Sequence, residues 1–239
     1  MRKNRSILFT LPLLATFLVT SCVVYHPHNV DIPLLHQRGQ LQLDASASLS
    51  APLFAAPAVN ATASYAPFNH LGVQAAASFT SPHYYYFQGA AGTWFTSGNF
   101  VVEGYLGYGH GRSLIDSTES SINRNYQIDG NYNLYFGQIN LGLADLADGH
   151  IDMGLGLKGG YLTPNFKQTE YLAEGLSQET SSYADPSFLI QPQLMFRFGF
   201  SKLKFSFNMG YTYLTQWAFD NNYFNYDRLS FSVGVNYRF

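Results

Sequence analysis

A chain of 239 residues with 13 Lys and Arg against 15 Asp and Glu carries a formal net charge of −2, and only 12% of its residues are charged, where an ordinary soluble domain has about 25%. That excludes a highly charged disordered protein and a basic nucleic-acid binder. Beyond the N-terminus no run approaches the roughly 20 apolar residues of a spanning helix, so a content of 46% hydrophobic and 17% aromatic residues points to dispersed β structure in an unusual solvent.

The chain opens on Met1-Arg2-Lys3-Asn4-Arg5, followed by a short apolar run from Ile7 to Val19. This is the layout of a secretory signal, too short to span a bilayer. The run ends in Val19-Thr20-Ser21-Cys22, which resembles the lipobox of bacterial lipoproteins. The resemblance implies a signal peptide over residues 1–21, cleavage before Cys22, acylation (palmitate included) of its sulfur and α-amine, and a need for lipoprotein-sorting machinery. Two acyl chains suffice for stable anchoring, whereas one is marginal. Cys22 is the only cysteine, so no disulfide forms within the chain. Residues 22–38 mix Pro and polar residues without evident periodicity and read as a periplasmic tether. No acidic cluster follows Cys22, which places the lipid in the periplasmic leaflet and the N-terminus in the periplasm.

From Gly39 onward apolar residues recur at every second position, the strand period. Ten segments show it: about 39–51, 57–67, 70–80, 84–96, 99–113, 129–145, 150–163, 187–200, 203–216 and 225–239. In the last, Leu229, Phe231, Val233, Val235, Tyr237 and Phe239 share one face, and Ser230, Ser232, Gly234, Asn236 and Arg238 share the other. Most segments exceed the roughly 5–6 residues of a globular strand and match the 9–11 of a tilted membrane strand. The expected fold is therefore all-β: a closed antiparallel up-and-down transmembrane β-barrel of about ten strands over residues 39–239.

From the fourth strand on, every second connection is long, at 112–128, 163–186 and 216–225. Outer-membrane barrels have short periplasmic turns and longer extracellular loops, so Phe239 falls on the periplasmic side. Aromatic residues gather near both strand ends, as interfacial girdles would: Trp94, Phe95, Phe100, Phe198, Phe200, Phe205, Tyr237 and Phe239 at one, Tyr84, Tyr85, Tyr86, Tyr108, Tyr161, Tyr211, Tyr213 and Trp217 at the other. The run Tyr84-Tyr85-Tyr86-Phe87 hides its phase, and Tyr132 to Phe136 reads as a phase shift with a bulge near Gly137.

With the apolar face on lipid, the polar face encloses a lumen lined by Asp44, Glu103, Asp152, Lys158, Arg197, Lys204 and Arg238. Unpaired charge in a narrow lumen is costly, so opposite charges should pair. Eight strands leave an interior that side chains just fill, and 16–18 leave a water channel. Ten strands should therefore be largely plugged by a structural polar network.

The C-terminal Phe231-Ser-Val-Gly-Val-Asn-Tyr-Arg-Phe239 resembles the signal by which barrel-assembly machinery recognises its clients, with Tyr237 and Phe239 as its apolar positions. Together with the lipobox, the stretch Tyr25-His-Pro27…Pro33-Leu-Leu…Gly39 and the hairpin Ala63-Ser-Tyr65-Ala-Pro67-Phe-Asn-His70-Leu-Gly-Val73 resemble outer-membrane barrel lipoproteins of the Bacteroidota. The resemblance implies a fold and a location, and it brings no catalytic residues.

Candidate chemistry is sparse. His83 and His110, at extracellular strand ends near Ser113, Asp116 and Glu119, could be parts of a hydrolase, but no nucleophile motif accompanies them. The spacing of His26, His28 and His36 fits no tight metal-ligand set, and His70 and His150 fall in periplasmic turns. Gly104, Gly107, Gly109 and Gly111 lie inside a strand with no helix after them, which is the wrong setting for a phosphate loop. No catalytic residue, metal or cofactor is expected. The Ser/Thr-rich loops 112–128 and 163–186, with Asp116, Glu119, Glu170, Glu174, Glu179 and Asp185, suit contact with an extracellular ligand. The expectation is a non-enzymatic barrel lipoprotein in outer-membrane lipid, with a structural or surface-interaction role. A surface enzyme acting on lipid or peptide, a narrow pore and a lipid-tethered soluble barrel with its apolar face inside are the alternatives.

Overall fold

The computed structural model describes residues 25, 28–51, 57–81, 84–119, 124–171, 177–215, 226 and 228–239. Twelve strands follow one another: β1 (Leu41–Ala51), β2 (Ala58–Phe68), β3 (Leu71–Ser81), β4 (Tyr84–Ser97), β5 (Phe100–Glu119), β6 (Arg124–Asp145), β7 (Ile151–Tyr171), β8 (Ser177–Tyr183), β9 (Ser187–Gly199), β10 (Leu203–Tyr211), β11 (Tyr213–Leu214) and β12 (Leu229–Arg238). All pairings are antiparallel, and each strand from β1 to β7 hydrogen-bonds to the next. The ring continues from β7 to β9, β10 and β12 and closes where β12 pairs with β1, from Gln42↔Arg238 to Ala51↔Leu229. β8 folds back on the far end of β7, and β11 continues β10 along β9. The result is a closed barrel of ten staves, which leaves no open sheet edge in the membrane.

Around the ring the strands turn an apolar side outward. Phe207, Val233 and Leu155 are 44%, 60% and 47% exposed, whereas Arg197 and Asn236 are buried in the interior. A continuous outer belt of Leu, Val, Ile and Phe far exceeds the apolar patches of a soluble monomer. The lipid-tethered soluble alternative, which needs the reverse arrangement, is thereby overturned.

Short turns gather at one end of the barrel. In the hairpin between β4 and β5, Ser97 pairs with Phe100 and Gly98 has φ +60°; a two-residue turn with a left-handed first position favours glycine there. Between β6 and β7, positive φ at Asp145, Ala147 and Asp148 coils the chain into a tight turn.

At the other end the segments 112–128 and 163–186, expected as loops, are largely paired strand. β5 and β6 stay in register out to Glu119↔Arg124, and β8 covers the projecting part of β7. Pairing satisfies the backbone donors and acceptors of these extensions, so they form projecting ribbons.

An outward aromatic row marks the long-hairpin edge of the belt, with Tyr108, Tyr135, Tyr161 and Phe188 side by side across β5, β6, β7 and β9. Three residues assigned to girdles from sequence face the lumen instead: Tyr84, Tyr86 and Trp94 are all buried. The hidden phase at 84–88 thus resolves with Tyr84, Tyr86 and Gln88 inward and Phe87 outward. Nor is there a bulge at Gly137. Tyr132, Leu134, Phe136 and Gln138 point inward in one unbroken register from Asn125 to Leu143. The apparent phase shift arises because the lumen wall itself turns apolar there. Trp217 lies outside the described residues.

Candidate functional site

The lumen is the site, and it is occupied by the protein's own chain. Residues 28–35 run through it and all but Asn29 are buried. Expected as part of a periplasmic tether, they lie against the inner wall. Val30 N–H donates to Gln193 Oε1 at 2.8 Å, and Gln193 Nε2 donates to Val30 O at 2.7 Å. Gln191 Nε2 donates to His28 O at 2.7 Å, and Gln138 and Asn140 both donate to Asp31 O. Leu35 N–H reaches Glu103 Oε1 at 2.7 Å. Inward amides thus serve the arm's backbone as a neighbouring strand would, which meets the requirement that buried backbone groups be bonded. Ser64 Oγ donates to the Asp31 carboxyl at 2.8 Å.

The arm has the period of a strand after all: Val30, Ile32 and Leu34 pack with Val101, Ala144 and Met195. Pro33 masks the alternation to the eye, yet it suits a lumen because it has no N–H to satisfy. The wall is shaped for these side chains. A Cβ on Gly142 would come within 2.5 Å of Leu34, and one on Gly154 within 2.8 Å of Ile32. Leu35 ends the descent against Ala66 and Trp94.

Below the arm, at the short-turn end, lies an ionic floor. Asp152 meets Lys204 at 2.6 Å and Arg238 at 3.2 Å, with all three side chains buried. Asp145 joins through Arg238 at 2.5 Å and His36 Nε2 at 3.2 Å, and its backbone N–H donates to Asp152. The sequence reading placed Asp152, Lys204 and Arg238 in the lumen but missed Asp145 and His36. Asp145 ends its strand in a left-handed turn that alternation alone does not describe.

The other four lumen charges sit inside and form no close ion pair among the described residues. Glu103 accepts from Leu35 N–H and from Asn140 Nδ2 at 2.9 Å. Lys158 donates to Gln88 Oε1 at 3.0 Å and lies 4.6 Å from the centre of the Phe136 ring, a cation–π arrangement. Arg197 donates to Pro33 O at 3.4 Å. Asp44, half-buried, lines a small void with Arg197, Asn208 and the arm. Opposite charges pair in the floor, whereas around these four the arm's carbonyls, its amide N–H and wall amides supply the polar contacts.

Above, at the long-hairpin end, the lumen is closed by aromatic rings. Tyr25 packs edge-on against Tyr132 with centroids 5.0 Å apart, Tyr86 stacks on Tyr132 at 5.8 Å, and the Tyr84 and Tyr132 hydroxyls are 2.7 Å apart. The glycine run of β5 belongs here. Gly109 and Gly111 give room to the Tyr86 and Tyr132 rings, and no anion site is involved.

Of the hydrolase candidates, the two whose side chains are described, His110 and Ser113, do not come together. Strand alternation puts His110 on the outer face, where Nδ1 lies 2.9 Å from Asn133 Oδ1, while Ser113 is buried on the inner face. His28 lies against Tyr86 and His36 against Asp145, and among the described residues no three His, Cys, Asp or Glu side chains are placed to hold a metal. His70 donates from Nδ1 to Trp94 O and His150 from Nδ1 to Gly199 O, each stapling a turn. Tyr237 and Phe239 face outward at the short-turn end. Cys22, His26, His83 and Glu174 lie outside the described residues.

No family model matches this sequence, and no curated protein matches it. Solved structures do. The outer membrane protease OmpT of Escherichia coli is similar over 84% of this chain and 94% of its own, with a TM-score of 0.59 at 10% identity. The translocator domain of autotransporter NalP from Neisseria meningitidis covers 85% of this chain and 90% of its own at a TM-score of 0.44 and 12% identity. For Ail of Yersinia pestis the figures are 85%, 100%, 0.35 and 11%. The chain has the fold of bacterial outer-membrane β-barrels.

Proposed function

We propose that this protein is a closed, non-conducting outer-membrane barrel lipoprotein that holds the β5–β6 and β7–β8 ribbons out from the membrane as binding elements. The observation that carries this reading is the occupied lumen. Residues 28–35, all but Asn29 buried, run along it and bond to both amide and charged wall residues, with an ionic floor below and an aromatic lid above. Short turns belong in the periplasm and longer connections outside, so the ribbons face the exterior, where rigid presentation lowers the ordering cost of binding. Cys22 carries the lipid, and the Bacteroidota resemblance fits that anchor. Tyr237 and Phe239 serve the assembly machinery before the barrel closes. No catalytic role is assigned, since His110 and Ser113 lie on opposite faces of one strand.

Purified protein in a planar bilayer should show no steady conductance above the bare membrane. Large, persistent conductance from the unmodified chain would defeat the proposal. Replacement of Cys22 behind an ordinary signal peptide should leave a protein that still needs detergent for extraction and still migrates differently before and after heating.

A further inference from the structure

The arm has a direction. Tyr25 sits among the aromatic rings at the long-hairpin end, Val30 and Ile32 lie beside Gly156 and Gly154 at mid-height, and Leu34 and Leu35 reach Gly142 and Gly72 near the short turns. Tyr25 also forms a parallel bridge with Tyr226, on the segment that leads down into β12. Both observations have the chain entering at the long-hairpin mouth and descending to the start of β1.

The level of entry can be read from the wall. Tyr25 touches Tyr132, which lies three residues nearer the long hairpins than the outward Tyr135 of the aromatic row. On β5 and β6 the outward neighbours at that level are polar: Arg112 and Asp129 form an exposed ion pair, Arg112 next to Gly111, the cross-strand partner of Tyr132. Tyr25 therefore lies beyond the apolar stretch of β5 and β6, on the long-hairpin side.

We infer that the N-terminal arm is threaded through the barrel, so that Cys22 emerges at the long-hairpin mouth and its acyl chains insert into the outer leaflet of the membrane. Cys22 precedes Tyr25 by three residues, a reach of at most about 11 Å. The apolar belt of such barrels is about 25 Å tall, so this link cannot carry the acyl chains back to the periplasmic leaflet. The arm leads directly into β1, whose pairing with β12 closes the ring. It can therefore be enclosed as that seam forms, without lipid passing through a finished lumen. The inference reverses the leaflet expected from a free tether. It rests on the lipoprotein reading for the acyl chains and on the orientation proposed above for the side.

The test labels single introduced thiols on intact Gram-negative cells with a membrane-impermeant maleimide, against total labelling after denaturation. Val24→Cys probes the arm, Ser182→Cys the ribbon of β8 and Ser201→Cys the short turn before β10; each variant is first checked for heat-modifiable migration. Val24→Cys should label on intact cells to the same fraction as Ser182→Cys, at least tenfold above Ser201→Cys. Labelling as low as that of Ser201→Cys overturns the threading. Incorporation of radiolabelled palmitate, lost in Cys22→Ala, reports separately on lipidation. Labelling of Val24→Cys that persists when Cys22→Ala is added, in a protein that takes up no palmitate, sinks the lipoprotein reading and leaves the threaded arm. Palmitate with Val24→Cys matching Ser201→Cys does the reverse, and labelling of Ser201→Cys in place of Ser182→Cys overturns the orientation.

Discussion

The two ends of the lumen are closed by opposite chemistry. At the short-turn end, buried Asp152 holds Lys204 and Arg238, and Asp145 and His36 extend the cluster. At the long-hairpin end the plug is aromatic: Tyr25, Tyr84, Tyr86, Tyr132 and Phe166 lie in one apolar cluster. Both ends obey the same barrel geometry, in which alternate side chains point inward. Inward therefore means enclosed rather than polar. Charge is tolerated where several partners converge, and apolar rings serve where the lumen must be shut against water on the side from which the arm enters.

The largest effect should come from the floor. Asp152→Ala leaves Lys204 and Arg238 buried, with the half-exposed Asp145 as their one remaining carboxylate among the described residues. Removing one member of a buried charge cluster costs about 3–5 kcal/mol. Urea titration followed by the shift between folded and heat-denatured migration measures the loss. A midpoint within error of the unaltered protein would mean that water, not protein, solvates the floor.

At the other end, Tyr132→Ala removes a fully buried ring together with its contacts to Tyr25, Tyr84 and Tyr86. Loss of a large buried aromatic costs about 3 kcal/mol, while Tyr132→Phe, which gives up only the hydroxyl contact, should cost about 1 kcal/mol. If Tyr132→Ala proved costlier than Asp152→Ala, the ranking of the two ends would be reversed. The smallest effect belongs outside the lumen. Arg112→Ala breaks an ion pair that is half exposed on both sides, and such pairs contribute little. Its unfolding midpoint should be indistinguishable from that of the unaltered protein, and a clear decrease would show that the projecting ribbons share the stability of the membrane ring.

Much of the ring was readable from the order of residues. Leu203, Phe205, Phe207, Met209 and Tyr211 alternate with Lys204, Ser206, Asn208 and Gly210, and the strand indeed exposes one set and buries the other. Where both faces are apolar the pattern loses its information, which is why Tyr84 and Tyr86 were read as interfacial and Tyr132 to Phe136 as a slip. Of the site, the lumen charges were legible because a charge on an alternating strand has only one side free of lipid. The arm partners of Glu103 and Arg197 were not, because Leu35 and Pro33 come from a segment outside the barrel pattern. Val30, Ile32 and Leu34 do alternate, but three apolar positions interrupted by a proline make too brief a signal to stand as a strand.

Period-two patterning by itself determined that this chain forms lipid-facing strands and which charged side chains they enclose, because a pleated strand leaves each residue one of two sides. Only the closed tertiary structure decided what fills the enclosure. A ring of this circumference leaves room for one extended segment, and residues 28–35 fit it because wall glycines make space for their side chains and wall amides bond their backbone, complementarity that exists only once distant strands stand side by side.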